Sequence, residues 1–138
     1  MNELIIDNQT IQSKIYTIRG VQVMLDEDLA LLYGVESKRL NEQVKRNIER
    51  FPEKFRFQLT ENEYENLRSQ FATSSLDNIL RFQNGTSSLD KQHGGRRYLP
   101  YVFTEQGVSM LSAVLRSQTA IEVSIKIIDT FVNMRKFL

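Results

Sequence analysis

Apolar residues recur along this chain in two rhythms, every second residue and every third to fourth, and the switches between them mark out its elements. From Lys14 to Leu25 the pattern alternates around Arg19-Gly20, which predicts a β-hairpin with Ile15 and Ile18 on one arm and Val21, Val23 and Leu25 on the other. At Asp26 the spacing becomes helical. Asp26 is expected to cap a helix whose first turn carries Glu27 and Asp28 and whose buried stripe is Leu29, Leu32 and Tyr33, with Ala30 beside it. Gly34 suits the left-handed position that ends a helix. Ser37 is the expected cap of a second helix, apolar at Leu40, Val44, Ile48 and Phe51 and stopped by Pro52.

Beyond Pro52, Lys54 to Leu59 alternates again and reads as a strand, and Thr60 to Glu63 has the form of a capping box opening a third helix with Tyr64 and Leu67. Two related phrases follow, LRSQFATSSLD from Leu67 and LRFQNGTSSLD from Leu80, at an offset of thirteen. Two copies are too few for a solenoid, which needs at least about three, so the segment reads as a duplication in a tolerant surface loop; a length-variable arm touching a partner is the other reading. Tyr98 to Phe103 is strand-like, and Pro100 is expected to place that strand at a sheet edge or bulge. Thr104 caps a helix to about Arg116. The last helix carries two apolar stripes, Ile121, Ile125, Ile128 and Val132 in one, Ile127, Phe131, Met134 and Leu138 in the other. A second stripe left in water would forgo about 1.5–3 kcal/mol per large side chain, so self-association through this helix is expected.

The whole is expected to be an α+β fold: a small antiparallel sheet, a helix-turn-helix-like helix pair and two C-terminal helices. It is read as a single domain over 1–138, with an N-terminal arm (1–13), a hairpin and helix-turn-helix-like core (14–70), a variable loop holding the repeat (71–95), and a strand with the C-terminal helices (96–138).

Charge changes the picture through its distribution. The net charge is only +1, yet seven cations lie between Lys38 and Arg56, opposed by Glu42, Glu49 and Glu53 alone. On the second helix the face opposite Leu40 and Val44 collects Lys38, Glu42, Lys45, Arg46 and Glu49, flanked by Arg39 and Asn41. Duplex binding needs cations for phosphates and forked donors for base edges, and this helix holds both. Ala30, Gly34, Val35 and Leu40 stand where a helix-turn-helix needs small, turn and buried residues, although Val44 follows Leu40 at four rather than three. The plain alternative is an ordinary helix pair with a solvated face. Arg39 and Asn41 are the candidates for base readout, Lys45 and Arg46 for phosphate. The turn HGGRRY could lay Arg96 and Arg97 along phosphates as a wing does, or be an ordinary basic turn.

Catalysis has little to stand on. His93 is the single histidine, there is no cysteine, and no phosphate-cradling glycine loop occurs. The Asp26-Glu27-Asp28 run suits a helix start, and its neighbours point in different directions, so no metal or other cofactor is expected. No apolar run approaches the length of a membrane span, and the N-terminus is not a signal peptide, so a cytoplasmic protein is expected.

The phrases IRGVQVMLDEDLALLYGVESKRLNEQVKRNIERFPEKFRFQLTENE and GGRRYLPYVFTEQGVSMLSAVL resemble the phage-derived DNA-binding domains grouped with KilA-N, in the subgroup named for the N-terminal domain of a phage open-reading-frame-six product. The resemblance runs from about Ile15 to Phe137, interrupted by the repeat. It implies a module found in phages, prophages and bacterial genomes, commonly joined to antirepressor-like or regulatory regions. By position it places the DNA-facing segment on Ser37 to Arg50 and makes GGRRYLPYVFTEQG part of the same domain; together with the composition of the helix face, this makes Ser37, Lys38, Arg39, Asn41, Lys45 and Arg46 the expected site residues, with Arg96 and Arg97 adding backbone contacts. The implied partner is double-stranded DNA; a repressor protein bound without DNA contact is the alternative.

Overall fold

The computed structural model describes residues 7–72 and 98–136, with the side chains of Phe71 and Ala72 outside the description. The chain divides into two compact units, Met1–Phe57 with Tyr101–Leu138, and Gln58–Pro100. Among the described residues it is α+β, with six helices and a four-stranded antiparallel sheet.

The first unit opens with α1 (Asn8–Gln12), capped by the Asp7 side chain, which accepts from the Thr10 N–H at 2.8 Å. This short helix lies within what the sequence suggested was an arm. Its Ile11 is fully buried and it packs on the last helix, where the Thr130 hydroxyl donates to Asn8 Oδ1 at 3.0 Å. β1 (Ile15–Ile18) and β2 (Val21–Leu25) form the expected hairpin, with Ile18 opposite Val21. Arg19 and Gly20 both have positive φ, 57° and 77°, as a two-residue turn of this hand requires.

α2 (Asp26–Tyr33) follows β2 with no intervening residue, and Leu25 rather than Asp26 occupies the cap position. Asp26 is the first helical residue and is fully buried, because its carboxylate is used in the interior. Gly34 ends the helix at φ 75°, and its N–H and that of Val35 reach back to the carbonyls of Leu31 and Ala30. α3 (Ser37–Arg46) begins at Ser37 itself, with Glu36 as cap and no side-chain cap bond, so the expected capping by Ser37 is corrected. α3 also ends earlier than the apolar spacing suggested. Asn47 leaves the helix, its side chain donating to the Gln43 carbonyl at 2.8 Å, and Ile48–Arg50 continues as a 3-10 turn. That break turns Ile48 outward, to 51% exposure, while Phe51 returns to the core edge-on to Phe103.

β3 (Arg56–Gln58) and β4 (Tyr101–Phe103) complete the sheet in the order β1-β2-β4-β3. β4 is therefore an inner strand, with Met24 opposite Phe103. Pro100 does not mark an edge; it stands one residue before the strand, where no ladder hydrogen bond is asked of its nitrogen. Thr104 caps α5 (Glu105–Leu115), and Ser117 caps α6 (Gln118–Arg135). Leu29, Ala30, Leu40, Val44, Phe103, Val108, Leu111, Ile127 and Phe131 belong to one continuous core. On α6, the stripe of Ile127 and Phe131 faces that core, while Ile121 and Ile125 are 41% and 56% exposed. Leu138 lies outside the described residues.

In the second unit, α4 (Glu61–Ala72) starts with the expected capping box. Glu63 Oε1 accepts from the Thr60 N–H at 2.8 Å, and Thr60 Oγ1 accepts from the Glu63 N–H at 3.2 Å. Leu59 and Leu67 are buried. Most of the repeat lies outside the described residues.

Candidate nucleic-acid interface

α3 takes its orientation from two sides. Leu40 and Val44, both fully buried, hold it against α2 and α5. At 100° per residue, the positions farthest from those two are Lys38, Arg39, Glu42, Lys45 and Arg46, and all five are exposed. The outer face thus carries four cations against one carboxylate, and none of the four cations forms an ion pair among the described residues. Such a face keeps its charge available for an anionic surface.

Asn41 behaves differently from its neighbours. It is half-buried, and its amide Nδ2 donates to Asp26 Oδ2 at 3.1 Å. The same carboxylate oxygen accepts from the Tyr101 N–H at 3.3 Å, and Asp26 Oδ1 accepts from the Glu27 N–H at 2.8 Å. Asn41 therefore takes part in an interior network, a role that face composition did not suggest. Ser37 is half-buried at the first position of α3. The structure brings Lys38, Arg39, Lys45 and Arg46 together on one face; Arg96, Arg97 and His93 lie outside the described residues.

The three acidic residues at the start of α2 diverge. Asp26 points inward, Glu27 is exposed, and Asp28 Oδ1 sits 3.7 Å from Lys14 Nζ. Burial pushes the Asp28 carboxyl above its ordinary range, against the pull of Lys14. No group of three metal-ligating side chains occurs among the described residues, and no described helix is long and apolar enough to cross a membrane.

Two further features escaped the sequence reading. The first is the buried hydrogen bond between Tyr33 and Ser124, 2.7 Å between hydroxyl oxygens, which ties α2 to α6. Burial pushes the Tyr33 phenol up to about 12 despite that bond. The second is a cleft of about 590 Å³ at the hairpin tip, among whose lining residues are Arg19, Gln22, Lys54, Phe57, Glu105 and Arg135. There the Arg19 guanidinium stands 4.1 Å over the Phe57 ring and Arg135 pairs with Glu105. Among the described residues, none of the candidate DNA-facing side chains lines this cleft.

The family model described as the ORF6N domain matches residues 13–114. No curated protein and no solved structure matches the chain.

Proposed function

The chain belongs to the ORF6N domain family, a phage-associated family, and we propose that it is a double-stranded DNA-binding module of a phage or prophage regulator, sequence-specific or semi-specific, with α3 in the major groove. The observation that carries this reading is the exposed face of Lys38, Arg39, Lys45 and Arg46 on the second helix of a helix-turn-helix-like pair. Lys45 and Arg46 grip phosphate, which supplies affinity and salt dependence. Of the two base-readout candidates, Arg39 is exposed near the N-terminal end of α3 with Lys38 beside it, and we assign base edges to these two because Asn41 is half-buried and held by Asp26. Asn41 contributes from within, through Asp26, and Ser37 sits at the helix entry. Arg96 and Arg97 remain candidates for backbone contacts. The wider KilA-N resemblance and an antirepressor-like setting belong to the same proposal, which is of a binding module and not an enzyme.

Fluorescence anisotropy of a labelled random duplex against salt tests it. Wild type is expected to bind with a steep salt dependence. Lys45→Ala/Arg46→Ala should reduce the slope by about 0.9 for each phosphate contact removed. An unchanged affinity and slope in the double variant would reject this face.

One observation favours a second reading. Ile48, half exposed just past the basic helix, would suit an acidic protein partner such as a repressor better than it suits phosphate. Negligible DNA binding at low salt together with capture of a repressor would support it. The exposed Ile121 and Ile125 support self-association through α6 under either reading.

A further inference from the structure

We infer that Asp26 is a positioning residue for α3, fixing the roll of that helix so that its outer side chains meet base edges at the right angle. The inference rests on the DNA-binding reading for its functional consequence, and on the geometry alone for the mechanical one.

Asp26 is fully buried at the junction of β2 and α2. One of its carboxylate oxygens accepts from Asn41 on α3 at 3.1 Å and from the Tyr101 N–H of β4 at 3.3 Å, and the other accepts from the Glu27 N–H of α2 at 2.8 Å. A single side chain thus joins the two helices of the pair to an inner strand of the sheet. Leu40 and Val44 press α3 onto its neighbours, but apolar contact is non-directional and tolerates rotation. The Asn41–Asp26 bond is directional and lies on the flank of α3, about 100° round from Leu40, where it resists roll.

Roll matters more to one kind of contact than to the other. On a helix of roughly 6 Å outer radius, a roll of about 20° carries a side-chain tip about 2 Å. That exceeds the tolerance of a bidentate hydrogen bond to a base, whereas a cation near phosphate loses little. Loss of the Asp26 bond is therefore expected to lower discrimination between sites and to leave the salt-dependent, non-specific affinity in place.

The test uses the full chain and a duplex selected by wild type from a random pool, with a scrambled duplex as reference. Asp26→Asn, Asn41→Ala and the exchange Asp26→Asn/Asn41→Asp are compared by anisotropy and by amide hydrogen exchange. The exchange variant restores a donor facing a carboxylate between the two positions in the opposite sense, while the Tyr101 N–H loses its acceptor oxygen. Asp26→Asn and Asn41→Ala should each lower the selected-to-scrambled ratio about tenfold or more, the scale on which a hydrogen bond to a charged group acts, with the salt slope unchanged. Amides of Leu40 to Val44 should exchange faster while those of Val123 to Ile127 keep wild-type rates. The exchange variant should recover part of the lost ratio. If Asp26→Asn does not fold, Asn41→Ala removes the same bond at a half-buried helical site and decides alone. An unchanged ratio, equal acceleration of exchange in α3 and α6, or no recovery in the exchange variant would overturn the inference. If wild type binds no duplex, the DNA reading fails separately, and the exchange rates of α3 against α6 still decide whether Asp26 positions the helix.

Discussion

Gly107 lies in the first turn of α5, against the chain entering β3. A Cβ added there would stand 2.1 Å from the Phe55 carbonyl oxygen, 3.1 Å from the Phe55 carbonyl carbon and 3.2 Å from Phe103 Cβ. A carbon and an oxygen rest at about 3.3 Å or more, so Gly107→Ala must open this approach by about 1.2 Å. The Phe55 oxygen cannot withdraw freely, since it accepts from the Thr104 N–H at 3.0 Å and from Thr104 Oγ1 at 3.3 Å. Overpacking of this kind costs about 1–3 kcal/mol, and weakening the Thr104 bond costs about 1 kcal/mol more. The helix preference for Ala over Gly returns about 1 kcal/mol. The expected net loss is about 2 kcal/mol. With a urea m-value of ~1.5–2 kcal/mol/M, typical of a small protein, the midpoint should fall by about 1 M. Urea unfolding followed by circular dichroism measures it. A Gly107→Ala protein as stable as wild type, or more stable by the helix-preference term, would refute the close approach. Because α5 packs against α3, the variant should also weaken selection among DNA sites.

Tyr33→Phe removes one partner of a buried pair and leaves Ser124, 2% exposed, without it; a loss of about 1–3 kcal/mol is expected by denaturant titration. The raised Tyr33 phenol favours the neutral form on folding, so its contribution is fully present below the unfolded tyrosine value near 10 and is lost as pH rises toward about 12. Wild type should therefore lose stability over that window more steeply than Tyr33→Phe, and equal slopes would contradict the assignment. Sedimentation velocity at rising concentration should show self-association that Ile121→Lys/Ile125→Lys abolishes without loss of helix content; a monomer throughout would remove the α6 surface from the account.

Features written within a few residues were legible in the sequence. The Arg19-Gly20 turn, the Gly34 helix end, the Thr60/Glu63 box and the Thr104 cap depend on local backbone chemistry, and each stands where its residues indicated. The cationic outer face of α3 was legible too, because helical periodicity places Lys38, Arg39, Lys45 and Arg46 opposite Leu40 and Val44 whatever the helix packs against. What the sequence hid depends on distant partners. Asp26 looked like a cap because Asp is a favoured cap residue and stands where the spacing turns helical, but Asn41 and Tyr101, 15 and 75 residues away, draw it inside. Ile48 continued the apolar spacing of α3, yet the helix ends at Asn47 and leaves it exposed. The inner place of β4 follows from strand pairing, which Pro100 alone could not reveal.

The central claim is that α3 is the face that meets DNA. At 16.1 kDa the protein suits amide chemical-shift mapping, and a titration with a random duplex at low salt tests that claim most directly. The account predicts that the perturbed amides concentrate between Ser37 and Asn47 and return toward their free positions as salt is raised. Perturbation confined to the exposed stripe of α6 or to the cleft at Arg19 and Lys54, with α3 unmoved, would contradict it.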